Sequence, residues 1–325
     1  MNRISRRHVL AASLLPVLPM PSFAQGSFPS RAIRIVVPFG AGGVADLTAR
    51  AVGQALSDRL GQAVVIENKP GAGGVGAGEQ VARAEPDGHT LLLMSNGTAV
   101  SAGLFKQLPF DPRKDFEPVS LLGLFDLAVV VPESSKFRNL GDLLAAAKAS
   151  PGKINLATIN VGSTQNLAAE LLKTTAGVDV QVVPYNGTPA VVTALRGGQV
   201  DAAVEILAPI KGQITGGALR ALAVLGEKRP AGMEVPAARE SGGALKDFNV
   251  SSWNALAAPA RTPRDVIERL NKEVQAVLGT PALRQKLADL NVEARGSTPA
   301  QLGQLLDSEI KRWSDVIERA RIPKL

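Results

Sequence analysis

The residues best suited to hold a ligand are the glycines of FGAGG at 39–43, set between the apolar run IRIVV at 33–37 and the helix-forming ADLTAR at 45–50. The run is β-branched and alternating, so it reads as a strand, and Pro38 ends it. A strand, a glycine turn and a helix start make an anion site. Glycine lets the backbone approach closely, and free N–H groups and the helix dipole point at the charge. The same residues also suit a tight turn that needs glycine only for its φ angles. VGST at 161–164 repeats the arrangement with small hydroxyl residues. It can hold a carboxylate through N–H and O–H donors, or simply cap a helix.

Other chemistry finds little support. The chain has two histidines and no cysteine. His8 lies in the leader and His89 stands alone in a turn, read as a surface residue, so a zinc site or a Ser-His-Asp triad lacks its parts. Thiol nucleophiles, thiolate metal sites and disulfides are ruled out together. Ser-x-x-Lys at Ser150 and at Ser308 comes without the companion motifs of a serine acyltransferase. GAGGVG at 71–76 matches a dinucleotide fingerprint, but Asn68-Lys69-Pro70 separates it from its strand and no acidic residue follows near 90–95. No cofactor is expected.

The elements that must position these loops alternate. Helical spacing covers 46–60, a strand 63–67, a helix runs to about 84, and a strand covers 90–94, followed by the loop Ser95-Asn96-Gly97-Thr98. Such alternation predicts a mostly parallel sheet whose ligand loops follow the C-terminal ends of strands. The apolar run 119–131 reads as a crossover into a second unit. That unit alternates again: helix 140–149, strand 154–158, helix 164–176, strand 179–183, a loop with Asn186-Gly187-Thr188, a helix to 195, and strands 199–206 and 219–225. The run 250–258 returns, and helices 263–278, 281–290 and 299–320 close the chain, the last with Trp313 on its packing face. Two crossings make domain 1 discontinuous, 25–124 plus 253–325, around domain 2 at 125–252, and two hinge strands permit closure. Asp201 ends a turn before an apolar strand, where it could face the hinge and orient an amine or hydroxyl, or pair with a neighbour. Glu205 is out of place on that strand, since a buried charge is costly unless paired.

Length and composition agree with two globular units: 325 residues, 45% hydrophobic and 20% charged. Aromatics are only 4%, which argues against stacked-ring sugar sites and single-stranded nucleic-acid platforms. Net charge is +7, of which Arg3, Arg6 and Arg7 belong to the leader, and the rest is scattered. No nucleic-acid partner is expected. Residues 1–24 read as a signal peptide cleaved after Ala24, with Arg6-Arg7 suiting either a twin-arginine or a general secretory signal. The periplasm follows.

The loop VPFGAGGVAD resembles that of the periplasmic solute receptors of tripartite tricarboxylate transporters, the Bug family. In the same order follow VIENKPGAGGVGAG at 65–78, PDGHTLLL at 86–93, PFDPRKDFEPVSLL at 109–122, VGSTQNLAAELLK at 161–173, VPYNGT at 183–188, GGQVDAAVE at 197–205, LRALAVLGEKR at 219–229 and WNALAAPARTP at 253–263. The resemblance implies an α/β, two-lobed, type II-like periplasmic-binding-protein fold, with two mostly parallel sheets flanked by helices and joined by two hinge strands. It implies a monomer that captures a small carboxylate without catalysis and delivers it to a two-component inner-membrane permease. A receptor for a sensor kinase, or a periplasmic hydrolase or dehydrogenase, are the rival readings. Phe39, Gly40, Ala41, Gly42, Gly43 and Asp46, with Ser95, Asn96 and Thr98, are expected to line the first lobe. Gly162, Ser163, Thr164, Asn166, Asn186, Gly187, Thr188 and Asp201 are expected to line the second. Family members often carry histidine where Asn166 stands and lysine where Asn186 stands, which suggests a less charged or differently shaped distal group here.

Overall fold

The computed structural model describes residues 28–325 apart from Ala231. The leader and its cleavage site lie outside the described residues. The first half of lobe 1 follows the alternation: β1 (Ile33–Val37), α1 (Val44–Leu60), β2 (Val64–Asn68), α2 (Val75–Ala82), β3 (Thr90–Ser95) and α3 (Asn96–Leu104). Then β4 (Phe116–Pro132) runs for 17 residues, roughly 55 Å, and carries the chain into lobe 2. There α4 (Leu140–Ala149), β5 (Asn155–Ile159), α5 (Thr164–Ala176), β6 (Gln181–Tyr185), α6 (Thr188–Arg196), β7 (Ala202–Ile206), α7 (Leu207–Thr215) and β8 (Leu219–Val224) follow. The chain returns on β9 (Ser251–Pro259) and ends with α8 (Arg264–Leu278), α9 (Pro281–Asp289), the short β10 (Glu293–Ala294) and α10 (Pro299–Arg319).

The strands run β2-β1-β3-β9-β4-β7-β5-β6, with β8 and β10 also on β4. Both lobes therefore share β4. From Phe116 to Asp126 it pairs with β9, and from Leu127 onward with β7 and β8. The sheets are mixed. Outer pairs such as β1 with β3 and β5 with β6 are parallel, while the antiparallel pairs all include β4 or β9. The reason is connectivity: one strand enters lobe 2 and the other leaves it, so they must oppose each other.

Two helices escape the sequence reading. The segment after β3 is not a loop: Ser95 is the N-cap of α3, where Gly97 N–H donates to Ser95 Oγ (3.2 Å) and Ser95 N–H to Thr98 Oγ1 (3.2 Å). The other is α7, which buries only Leu207 and Ile210.

The core is layered by sheet face. Alternate residues of β3 split between faces: Leu91 and Leu93 pack under α1 and α8, while Leu92 and Met94 pack towards α3 and α10. The second of these cores continues into lobe 2 through Leu127, Val129, Leu156, Leu167 and Leu172, so α3, α5 and α10 share apolar contact across the lobes. Trp313 of α10 is fully buried there, as its helical spacing predicts. His89 corrects the surface reading. It is only 6% exposed, edge-on to Phe28, and accepts a hydrogen bond from Ser30 N–H at 3.2 Å. No described helix is long and apolar enough to cross a membrane.

Candidate functional site

Register decides which loops meet. In lobe 2 the C-terminal residues of β5 and β6, Ile159 and Tyr185, lie opposite each other, and Ile206 of β7 lies opposite Leu127, beside the β4–β9 junction. The loops that follow therefore face lobe 1. In lobe 1, Ser95 lies opposite Asn254, which lies opposite Gly123 only three residues before Asp126. The starts of α1 and α3 therefore face lobe 2.

The two glycine loops are built alike. Gly42 and Gly162 sit at φ +84° and +81°, in the left-handed region that glycine enters without cost. Each donates its N–H to a side chain four residues on, in the first turn of the following helix. Gly42 N–H reaches Asp46 Oδ2 at 2.8 Å, and Gly162 N–H reaches Asn166 Oδ1 at 3.2 Å. Both bracing side chains make further bonds. Asp46, 1% exposed, also accepts from Arg50 Nε (3.0 Å) and Asn68 Nδ2 (2.9 Å). Burial alone would raise its pKa, but the bonds from Arg50, Gly42 and Asn68 and the charge of Arg50 hold it below the usual carboxylate value. Asn166 Nδ2 donates to Thr158 Oγ1 at 3.3 Å, and Ser163 Oγ accepts from Asn166 N–H at 3.1 Å. Asp46 and Asn166 thus shape the loops from within.

What remains beyond these bonds is backbone. Phe39, Gly40, Ala41, Gly42 and Gly43 are exposed, with the Gly42 N–H already given to Asp46. The first-turn N–H groups of α1 and α5 have no partner inside their own helices, and of these Asn166 N–H is capped by Ser163 Oγ. Asn186 is exposed, Gly187 takes φ +92°, and Thr188 opens α6. Phe39 and Val161, 40% and 44% exposed, stand on the facing loops. The glycines at 73–74 pack behind the first loop, Gly74 against Pro38 and Gly73 against Phe105, so they support it.

The lobes touch directly. Asn96 Nδ2 of α3 donates to Thr164 Oγ1 of α5 at 3.1 Å, and Thr164 Oγ1 lies 3.5 Å from Ser252 Oγ. Asn96 Oδ1 accepts from Trp313 Nε1 at 2.7 Å, and that indole also reaches Glu309 Oε2 at 2.8 Å. A Cβ on Gly162 would fall inside the van der Waals surface of Leu104 Cδ2, so α3 lies close over the lobe-2 loop.

Asp201 does not join the site. It precedes β7 at the end remote from lobe 1, five residues from Ile206, and its Oδ2 accepts from Asn155 N–H at 2.8 Å. The sequence places it correctly before the strand, but the strand's direction carries it roughly 15 Å from the hinge. Ser95 and Thr98 reach the site as caps of α3, with their side chains engaged in that role. Sequence reasoning missed Trp313 as a hydrogen-bond donor, Leu104, Gln165, and Asn254, which is fully buried with both amide atoms unpartnered among the described residues. Only a polar residue inside the apolar return strand WNALAA hinted at Asn254.

Two α/β lobes on shared hinge strands, with paired helix-start loops facing each other, define a solute receptor. The chain belongs to the tripartite tricarboxylate transporter family of receptors, whose family model matches residues 48–322. It is 37% identical over 322 residues to a protein from the tcbD-tcbE intergenic region of Pseudomonas sp. (strain P51), covering 98% of this chain and 96% of that one. It is 34% identical to Protein BugT of Bordetella pertussis, over 90% of each chain. Among solved structures it resembles Rpa4515 of R. palustris with adipate (TM-score 0.82, 32% identity, 92% of this chain and 100% of that one). It also resembles MatC of Rhodopseudomonas palustris with bound malate (TM-score 0.75, 34% identity, 89% and 100%).

Proposed function

We propose that this receptor works in the periplasm, binds a small organic carboxylate between its lobes without bond chemistry, and hands it to a two-component membrane permease. The observation that carries this is the pairing of the two glycine loops, Gly42 braced by Asp46 and Gly162 braced by Asn166, at helix starts that face each other across β4 and β9. A carboxylate accepts hydrogen bonds only, and helix-start N–H groups are preorganised donors that need no lysine or arginine. The adipate and malate of the two relatives fit the same ligand class. The lobes divide near 124/125 and 252/253, so that 25–124 with 253–325 form one jaw and 125–252 the other. Residues 1–24 direct export and are removed, by the twin-arginine or the general secretory route.

A thermal-shift screen of unfolded and refolded mature protein tests this, with small carboxylates against neutral sugars and NAD. A ligand at about one hundred times its Kd adds roughly 2.7 kcal/mol of stability. A shift confined to carboxylates is expected. A shift from NAD alone, with flat carboxylates, refutes the proposal.

A further inference from the structure

One carboxyl in lobe 2 is left half-used by the fold. Glu205 is the fourth residue of β7, at the edge where β5 and β6 also end. It is 0% exposed. Its Oε2 accepts from Thr188 Oγ1 (3.0 Å), Ile206 N–H (3.2 Å) and Gln165 Nε2 (3.4 Å), three neutral donors. Its Oε1 is buried and has no hydrogen-bond partner among the described residues. Thr188 opens α6 and Gln165 is the second residue of α5. The carboxyl is therefore clamped between the starts of α5 and α6, with its second oxygen buried and unpaired.

We propose that Glu205 Oε1 is a specificity contact that accepts a hydrogen bond from a hydroxyl or ammonium group carried by the bound carboxylate solute. This deepens the receptor function proposed above and rests on it. A buried acceptor without a donor is costly, more so when it carries charge. An unsubstituted carbon chain brings only C–H groups and leaves Oε1 orphaned, and a second carboxylate brings like charge. A hydroxyl completes the hydrogen bonding, and an ammonium also offsets the charge. Sites built to bond a ligand O–H or N–H discriminate strongly against the analogue that lacks it, because their own polar group is then left unpaired. Burial raises the Glu205 carboxyl to about 7 against the opposing bonds from Gln165, Thr188 and Ile206 N–H, so the contact is best read above that value.

The test is isothermal titration calorimetry at pH 8.5 on the refolded mature chain with three matched sets. Each set differs only at carbon 2: propionate, lactate and alanine; succinate, malate and aspartate; glutarate, 2-hydroxyglutarate and glutamate. In the set that binds best, a substituted acid is expected to bind at least about tenfold more tightly than its unsubstituted partner. Glu205→Ala is expected to shrink that ratio to about threefold or less. Glu205→Gln, which keeps shape and an acceptor, should lose preference for the ammonium first and guards against an Ala variant that fails to fold. An unsubstituted acid that binds as tightly as its partners, or a ratio that survives both substitutions, overturns the proposal while leaving the receptor function intact. Binding by none of the nine acids overturns this inference alone; the small-carboxylate reading is then decided by the wider thermal-shift screen.

Discussion

Replacing Gly162 with alanine tests how the lobes fit. The residue sits at φ +81°, and its missing Cβ is where Leu104 Cδ2 of α3 lies. Holding alanine in the left-handed region costs about 1–2 kcal/mol. Leu104 is 1% exposed inside the shared core, so its displacement adds about 1–3 kcal/mol. The first cost belongs to lobe 2 alone; the second exists only while the lobes are together. Gly162→Ala should therefore lower stability by about 2–5 kcal/mol. Leu104→Ala should cost about 3 kcal/mol by itself as a buried leucine deletion. The double variant should be less destabilised than the sum by about 1–3 kcal/mol, because the steric conflict is gone and only the φ strain remains. Thermal unfolding of the four proteins measures this, with ligand affinity read in parallel. Strictly additive effects would refute the claim that α3 closes over this loop.

Asp46→Ala leaves Gly42 N–H, Asn68 Nδ2 and the Arg50 guanidinium without their acceptor. It should cost about 2–3 kcal/mol in thermal unfolding and weaken ligand binding, with Asp46→Asn milder on both readouts. Trp313→Phe strands two buried acceptors, Asn96 Oδ1 and Glu309 Oε2, and should cost about 2–4 kcal/mol by denaturant titration. Glu205 makes stability depend on pH. Its folded value of about 7 lies above the ordinary 4.5, so its contribution is complete below pH 4.5 and is lost as pH rises through 7. The loss is about 3 kcal/mol by pH 8, or roughly 5 °C in Tm relative to Glu205→Gln, and parallel Tm profiles of the two proteins would contradict it.

Much of this fold is written plainly in the chain. The strand-glycine-helix unit of β1 and α1 is legible because alternation, Pro38 and the glycines all point the same way. So is the long apolar β4, whose two-sided burial removes any other use for such a run. By contrast α3 is hidden, because AVSAGL at 99–104 is small and nearly uniform, and its capping residues Ser95 and Thr98 look like ligand residues. Likewise α7 is short, with Pro209 and Gly212 inside it, and buries only Leu207 and Ile210. The site is legible as loops but not as side-chain roles. That Asp46 and Asn166 turn inward to brace Gly42 and Gly162, and that Asp201 lies at the far end of its strand, depend on directions that spacing alone does not carry. Glu205 stands out in sequence as a charge on an apolar strand; the structure adds that one oxygen is spent and the other is not.

The most direct measurement of the central claim is small-angle X-ray scattering of the refolded mature protein with and without a saturating carboxylate from the thermal-shift screen. A receptor that closes its two lobes on β4 and β9 predicts a smaller radius of gyration on binding, and a weakened change in Gly162→Ala. A carboxylate that binds tightly while the radius stays the same would contradict closure around the solute.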